Sequence, residues 1–326
     1  MDFDFNTGGE VTWDKVHFSG KFNTNFQGAK KINLTHCVVR TTETITMNFA
    51  AQVEVPELIS CIFKTPITGT SFSFNNSALA GNIKNVWVDS APSGAANQVV
   101  ASNTSSPYFE KLIVTNYLGT AFATGGRAAV NTSAGNFTLF DSHIATYGHI
   151  VNIQSGSSNC RVDNIKFQLG CRTDLTGLSV GRIVNIQNSS NNRVTNIEQI
   201  QLTSVGSNQS CLQVGAGSSN NVIANITITS KGDAQYDNIL SDAGFGTRLN
   251  NVLVKGQTTD RAVVFNSTSL GCEISNIYFE EQQTGHNQTQ QVGASVKINQ
   301  LQLNATSDNF STSAIGTSVD SLSVLG

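Results

Sequence analysis

An apolar pattern that recurs along the whole chain constrains the fold more than any other feature. "SSNNRVTNIEQIQL" (Ser189–Leu202) and "SSNNVIANITIT" (Ser218–Thr229) each set an asparagine between two apolar runs. Aligned on Asn196 and Asn225, the frame extends to thirteen copies, centred on Lys15, His36, Ser60, Asn85, Lys111, Asp141, Asn164, Asn196, Asn225, Asn251, Asn276, Gln300 and Ser321. Successive centres are 21 to 32 residues apart. The residues two before, one after and three after each centre make 39 positions, apolar in all but Ser142 and Gln199. Only 39% of the chain is apolar, so chance does not produce these columns. Gln199 is followed by Ile200, and a one-residue bulge is expected there.

The spacing selects the architecture. Positions one and three after the centre share a face, which is the period of a strand. From two before to one after is three residues, so the alternation slips by one at the centre. Such a slip turns the chain through a corner while its apolar side chains stay inward. The central residue then needs left-handed torsions, which asparagine tolerates better than most residues. Asparagines stacked at such corners can also hydrogen-bond along the stack. A second strand precedes each corner, as in "HIVNIQ", "RIVNIQ" and "AVVFNS". Steps this short leave no room for crossover helices. The expectation is an all-β chain with residues 1–326 in one parallel β-helix of about thirteen coils, a rod of roughly 60 Å. A β-sandwich would not repeat one corner at near-constant spacing.

Composition narrows the function. Charged residues make up 13% of the chain, about half the usual share of roughly 25%, and the net charge is −3. That balance offers no electrostatic case for nucleic acid or a membrane surface. No apolar run approaches a membrane span, and "MDFDFNTGGE" does not read as a signal peptide. Cys37, Cys61, Cys160, Cys171, Cys211 and Cys272 are scattered without a CxxC, and are expected as buried thiols under reducing conditions. The N-x-[ST] triplets at Asn33, Asn136, Asn225 and Asn266 are expected from composition alone.

With these residues in view, the chain resembles the right-handed, single-stranded parallel β-helices of pectate-lyase-like proteins, and among them bacteriophage tailspikes. "VTWDKVHFSGKF" (Val11–Phe22) looks like an opening coil, and the Asn-Ile corners at Asn164, Asn196, Asn225 and Asn276 resemble the family's asparagine stack. The resemblance implies a homotrimeric virion fibre, assembled in the host cytoplasm beside other tail proteins, that binds and often cleaves a bacterial surface polysaccharide. It also implies virion-attachment and trimerising segments, so the chain is expected to be a fragment.

Candidate chemistry is sparse. Calcium-dependent lyases of this fold cluster acids on adjacent coils. Here the residue four after the centre reads Lys64 then Asp89, and Lys255 then Glu280, which suggests cross-coil ion pairs instead. The histidines lack metal-ligand spacing, and no metal or other cofactor is expected. A glycoside hydrolase needs two carboxyl groups some 5 to 9.5 Å apart. Asp233, Asp237, Asp242 and Asp260 come from consecutive coils, with Arg182, Tyr236 and Arg261 close in the frame. The long insertion "QLGCRTDLTGLSV" (Gln168–Val180) adds Arg172 and Asp174. The candidate catalytic set is therefore Asp174, Asp233, Asp237 and Asp260, and Glu280, Glu281 and His286 form a weaker group. The outward residue two after each centre reads Val38, Ile62, Trp87 and Ile113 over four successive coils. An exposed apolar stripe of this length marks a subunit contact or a groove in which Trp87 stacks on sugar. The sequence thus supports a glycan-binding spike, the same spike as a depolymerase, or a structural fibre segment. A secreted adhesin or pectinase fits less well.

Overall fold

The fold follows from how the chain manages its corners. In the computed structural model, the described residues are 2–4, 9–20, 23–25, 31–41, 47–49, 56–65, 72–74, 82–90, 100–102, 108–117, 128–133, 135–146, 149–154, 156–169, 183–201, 210–230, 238–255, 261–265, 270–279, 290–291, 295–299, 301–304, 311–312, 318–319 and 322–325. Regular structure among them is all strand, and every strand pairs in parallel with its counterpart one turn away. The result is a β-solenoid. Long strands Thr138–Thr146, Arg161–Leu169, Arg193–Gln201, Val222–Ser230, Arg248–Lys255 and Leu270–Phe279 stack in one sheet. The returns His149–Ile153, Val184–Ile186, Ser210–Val214, Asn238–Asp242 and Arg261–Phe265 stack in a second.

The corner forms where the period slip places it. Lys15, His36, Ser60, Asn85, Lys111, Asp141, Asn164, Asn196, Asn225, Asn251 and Asn276 all have positive φ, between 49° and 57°. Gln300 and Ser321 lie outside the described residues. Ile165, Ile197 and Ile226 are no more than 2% exposed, so the slip does keep both sides of the corner facing inward. Trp13, Val16 and Phe18, around the first corner, are only partly buried.

Two expectations change. The thirteen coils expected from the sequence give way to about five turns, delineated where the long strands and their returns recur together between Thr138 and Phe279. Elsewhere the ladders are carried by shorter strands, split at the corner as in Lys31–Thr35 and Val38–Thr41, and much of the intervening chain lies outside the described residues. The bulge at Gln199 is also absent: Gln199 pairs in unbroken register with Phe167 and Ile228, and its side chain is buried. Skipping a residue would have broken the ladder to both neighbours, so the amide is taken inside instead.

A second left-handed corner, which the apolar columns do not reveal, precedes the first by five residues. It falls at Asn136, Asn159, Asn191 and Asn220, and then at Gly246 and Gly271. The repeated "SSNN" is therefore two devices: Asn191 and Asn220 turn the chain, while Asn192 and Asn221 are buried. Asn192 Nδ2 donates to Asn221 Oδ1 at 2.9 Å, and Asn192 Oδ1 accepts from the Cys160 amide at 3.0 Å. Ser189 Oγ donates to the Ser157 carbonyl at 2.6 Å. Corners strip the backbone of its regular partners, and these short side chains replace them.

Cysteine does the same work. Cys37, Cys61, Cys160 and Cys272 each follow a positive-φ residue, and each thiol faces the carbonyl two residues back, at 3.4 to 3.8 Å. Ser142, one of the two polar exceptions in the columns, repeats this contact at 2.8 Å and also accepts the Leu112 amide. None of these four thiols is in a disulfide and all four are buried, as the sequence suggests, and burial pushes the Cys61 thiol up to about 12 and the Cys160 thiol to about 11.

The expected asparagine stack is present on the outside. Asn276 donates to Asn251, Asn251 to Asn225, and Asn225 to Asn196, at 2.9 to 3.0 Å. Asn196 donates instead to the buried carboxylate of Asp163, at 2.7 Å, and Thr195 and Arg161 bind the same group. Burial alone would raise the Asp163 pKa, but the hydrogen bonds and the Arg161 charge outweigh it and hold the carboxyl below its ordinary range.

Two predictions follow from the corners. Replacing Asn225 by Ala should cost about 2 kcal/mol, from left-handed strain and two lost amide bonds, whereas Asn225→Gly relieves the strain and costs about half as much. Gly246→Ala should cost about 1 to 3 kcal/mol, because its φ is 64° and a Cβ would lie 2.8 Å from Asn220 Oδ1. Urea unfolding midpoints measure both. A third concerns pH. The depressed Asp163 contributes stability that is present above about pH 4 and lost as pH falls through its lower folded value. Asp163→Asn should therefore be less stable than wild type at neutral pH, with the gap closing as pH drops below about 4; a constant gap across that window would refute the assignment.

Candidate functional site

The positive-φ corner does more than turn the chain: it sets the side chain two residues later outward, in register on every turn. Backbone pairing makes this row continuous from His17 through Val38, Ile62, Trp87, Ile113, His143, Lys166, Glu198, Thr227 and Leu253 to Tyr278. The apolar stretch is as the sequence places it. Trp87 and Ile113 are each 40% exposed, while Val38 and Ile62 are partly covered. Tyr278, 39% exposed with Leu253 beside it, forms a second apolar patch farther along the row.

Trp87 is held rather than loose. Its indole Nε1 donates to Thr115 Oγ1 at 2.8 Å, across to the next turn. Thr115 in turn donates to Asp89 at 3.4 Å, and Asp89 pairs with Lys64 at 3.2 Å. The expected Lys64–Asp89 ion pair is thus present and anchors a tryptophan as well. Its proposed counterpart, Lys255 with Glu280, has one member outside the described residues. Pinning the indole lowers the entropy lost when a ligand stacks on it.

Between this row and the corner residues lie two clefts. One, of roughly 340 Å³, is lined by Asn85, Lys111, Ile113, Asp141, His143, Asn164 and Lys166, with Ser142 at its base. Asp141 accepts the Asn164 amide at 2.9 Å, and Lys166 pairs with Glu198 at 3.6 Å. Burial, and then the Lys166 charge, lowers the His143 pKa, which leaves this imidazole neutral near pH 7. The other cleft, of roughly 400 Å³, is more open and runs beside Asn225, Asn251, Asn276 and Tyr278.

Asp174, Asp233, Asp237 and Asp260 lie outside the described residues, as do Arg172, Arg182, Tyr236, Glu280, Glu281 and His286. Asp242 and Arg261 are placed by their backbone on neighbouring strands of the second sheet, Arg261 beside Asn238 and Asp242 beside Phe265. That sets them four positions apart, about 13 Å along the strands. Among the described residues no group of acids, histidines and cysteines could hold a metal ion. The lining of the first cleft, Lys111, His143 and Lys166, escaped sequence reasoning. The signal was available in the frame, but it required reading the corner column and the outward column together. No family model matches this chain, and no curated protein is significantly similar to it.

Proposed function

We propose that this protein is a tailspike-like host-recognition solenoid, which binds a bacterial surface polysaccharide along its outward row. The observation that supports the reading is the pinned, exposed Trp87 beside Ile113, on a rigid row that also carries amides and charges. Glycans offer apolar ring faces to stack on and hydroxyls to bond, and this surface supplies partners for both. Stacked turns repeat every ~4.8 Å, close to the advance per sugar of an extended glycan, so successive residues of the row can meet successive sugars. In this proposal the protein works as a homotrimer on a virion, alongside other tail proteins. Cleavage, if coupled to binding, would fall to the carboxylates Asp174, Asp233, Asp237 and Asp260.

The test is incubation with capsule and O-antigen polysaccharides from candidate hosts, reading both retention and chain length. Trp87→Ala should weaken retention about tenfold or more with only a small fall in the unfolding midpoint, since the side chain lies outside the core and loses one exposed hydrogen bond. Shortened chains would extend the reading to a depolymerase. If no polysaccharide is retained, and light scattering shows an oligomer that Trp87→Ala dissociates, the row is a subunit seam and the glycan reading falls.

A further inference from the structure

The cleft beside Ile113 has a chemistry more specific than glycan binding in general. Its floor and rim come from four successive turns: Asn85, Lys111, Asp141 and Asn164 in the corner column, with Ile113, His143 and Lys166 in the outward row. Lys111 and Lys166 stand two turns apart, about 10 Å along the rod, so their flexible stems can bring both ammonium groups over the gap at His143. Among the described residues of the lining Asp141 is the one carboxylate, and its Oδ1 is already bonded by Asn164. The described lining therefore carries two lysine ammonium groups against one carboxylate. Lys166 does pair with Glu198, but both side chains are more than half exposed, and such a pair is weak enough to exchange for a ligand carboxylate. Next to these charges, Ile113 presents apolar surface and the pinned Trp87 continues it. Asn85 and Asn164 offer amides suited to hydroxyls.

We infer that this cleft is a subsite for an acidic sugar: a uronate whose ring face rests against Ile113 and Trp87 while its carboxylate is held by Lys111 and Lys166. The inference rests on the glycan-binding reading and names its substrate class. Lysine suits the role, because a compact point charge can meet a carboxylate that projects from a ring without demanding the planar alignment of a guanidinium. Glu198 then acts as a competitor for Lys166, and removing it strengthens the site.

The experiment is an NMR titration of the full chain, following the Trp87 indole N–H and the Ile113 methyl signals. The probes are glucuronate, glucose and acetate. Glucuronate should shift both signals and bind about tenfold more tightly than glucose or acetate. The Lys111→Gln/Lys166→Gln double variant should abolish that preference while keeping the wild-type unfolding midpoint, and Glu198→Gln should tighten glucuronate binding a few-fold. Equal binding of glucuronate and glucose, unaffected by the lysine changes, would overturn the acidic subsite and leave the wider glycan reading standing. Acetate binding as tightly as glucuronate would reduce the cleft to a simple anion site and overturn the inference. No shift with any probe would also overturn it; the polysaccharide retention assay then decides separately whether the row binds glycan at all.

Discussion

The whole structure depends on one conformational constraint: a residue at the same corner of successive turns held in left-handed torsions, with parallel ladders on either side. Left-handed torsions at the corner shift the side-chain alternation by one, and that shift lets apolar residues point inward both before and after the bend. Without it, each strand would carry its apolar set into water past the corner. The constraint is local, yet it is satisfied cooperatively. At Lys15, His36, Ser60, Asn85 and Lys111 the corner amide donates to a carbonyl of the next turn, as Lys111 N does to Phe140 O at 3.0 Å, so one corner helps to fix its neighbour.

Bending a ladder leaves polar groups without regular partners, and the chain answers with small side chains rather than charged ones. Asparagine at the corner bonds along the outside of the stack, serine and a second asparagine bond within it, and cysteine faces the carbonyl two residues back. This explains a composition that is otherwise odd. Charge is scarce because the repeating work is done by neutral hydrogen bonds, and the described thiols make the same contact at four corners without forming a disulfide. Asp163 is the described exception, a buried carboxylate that the stack accommodates by surrounding it with three donors.

A rod built in this way has a rigid surface with a fixed repeat, and function can be placed on it by changing outward residues alone. The row that begins two residues past each corner shows the effect. Its partners are fixed by register, so apolar residues on consecutive turns become a continuous shelf, and charges two turns apart can converge on one cleft. Substituting any of these residues leaves the core columns untouched. Recognition and folding are therefore largely separable in this architecture.

Legibility divides along the same line. The apolar columns and the period slip, both short-range features of the chain, determined the corner positions, the inward faces and the outward Trp87 row, because side-chain direction in a strand is set by the residues immediately around it. The second corner was written in the repeated "SSNN" but was hidden, since asparagine there serves as both bend and buried donor, and glycine replaces it at Gly246 and Gly271. Only the tertiary structure decided that Gln199 is swallowed rather than bulged, that about five turns are fully delineated, and that Lys111 and Lys166 face one cleft. Each of those outcomes depends on which residue of one turn lies against which residue of the next. Corners 21 to 32 residues apart along the chain carry no local record of that register until the turns are stacked.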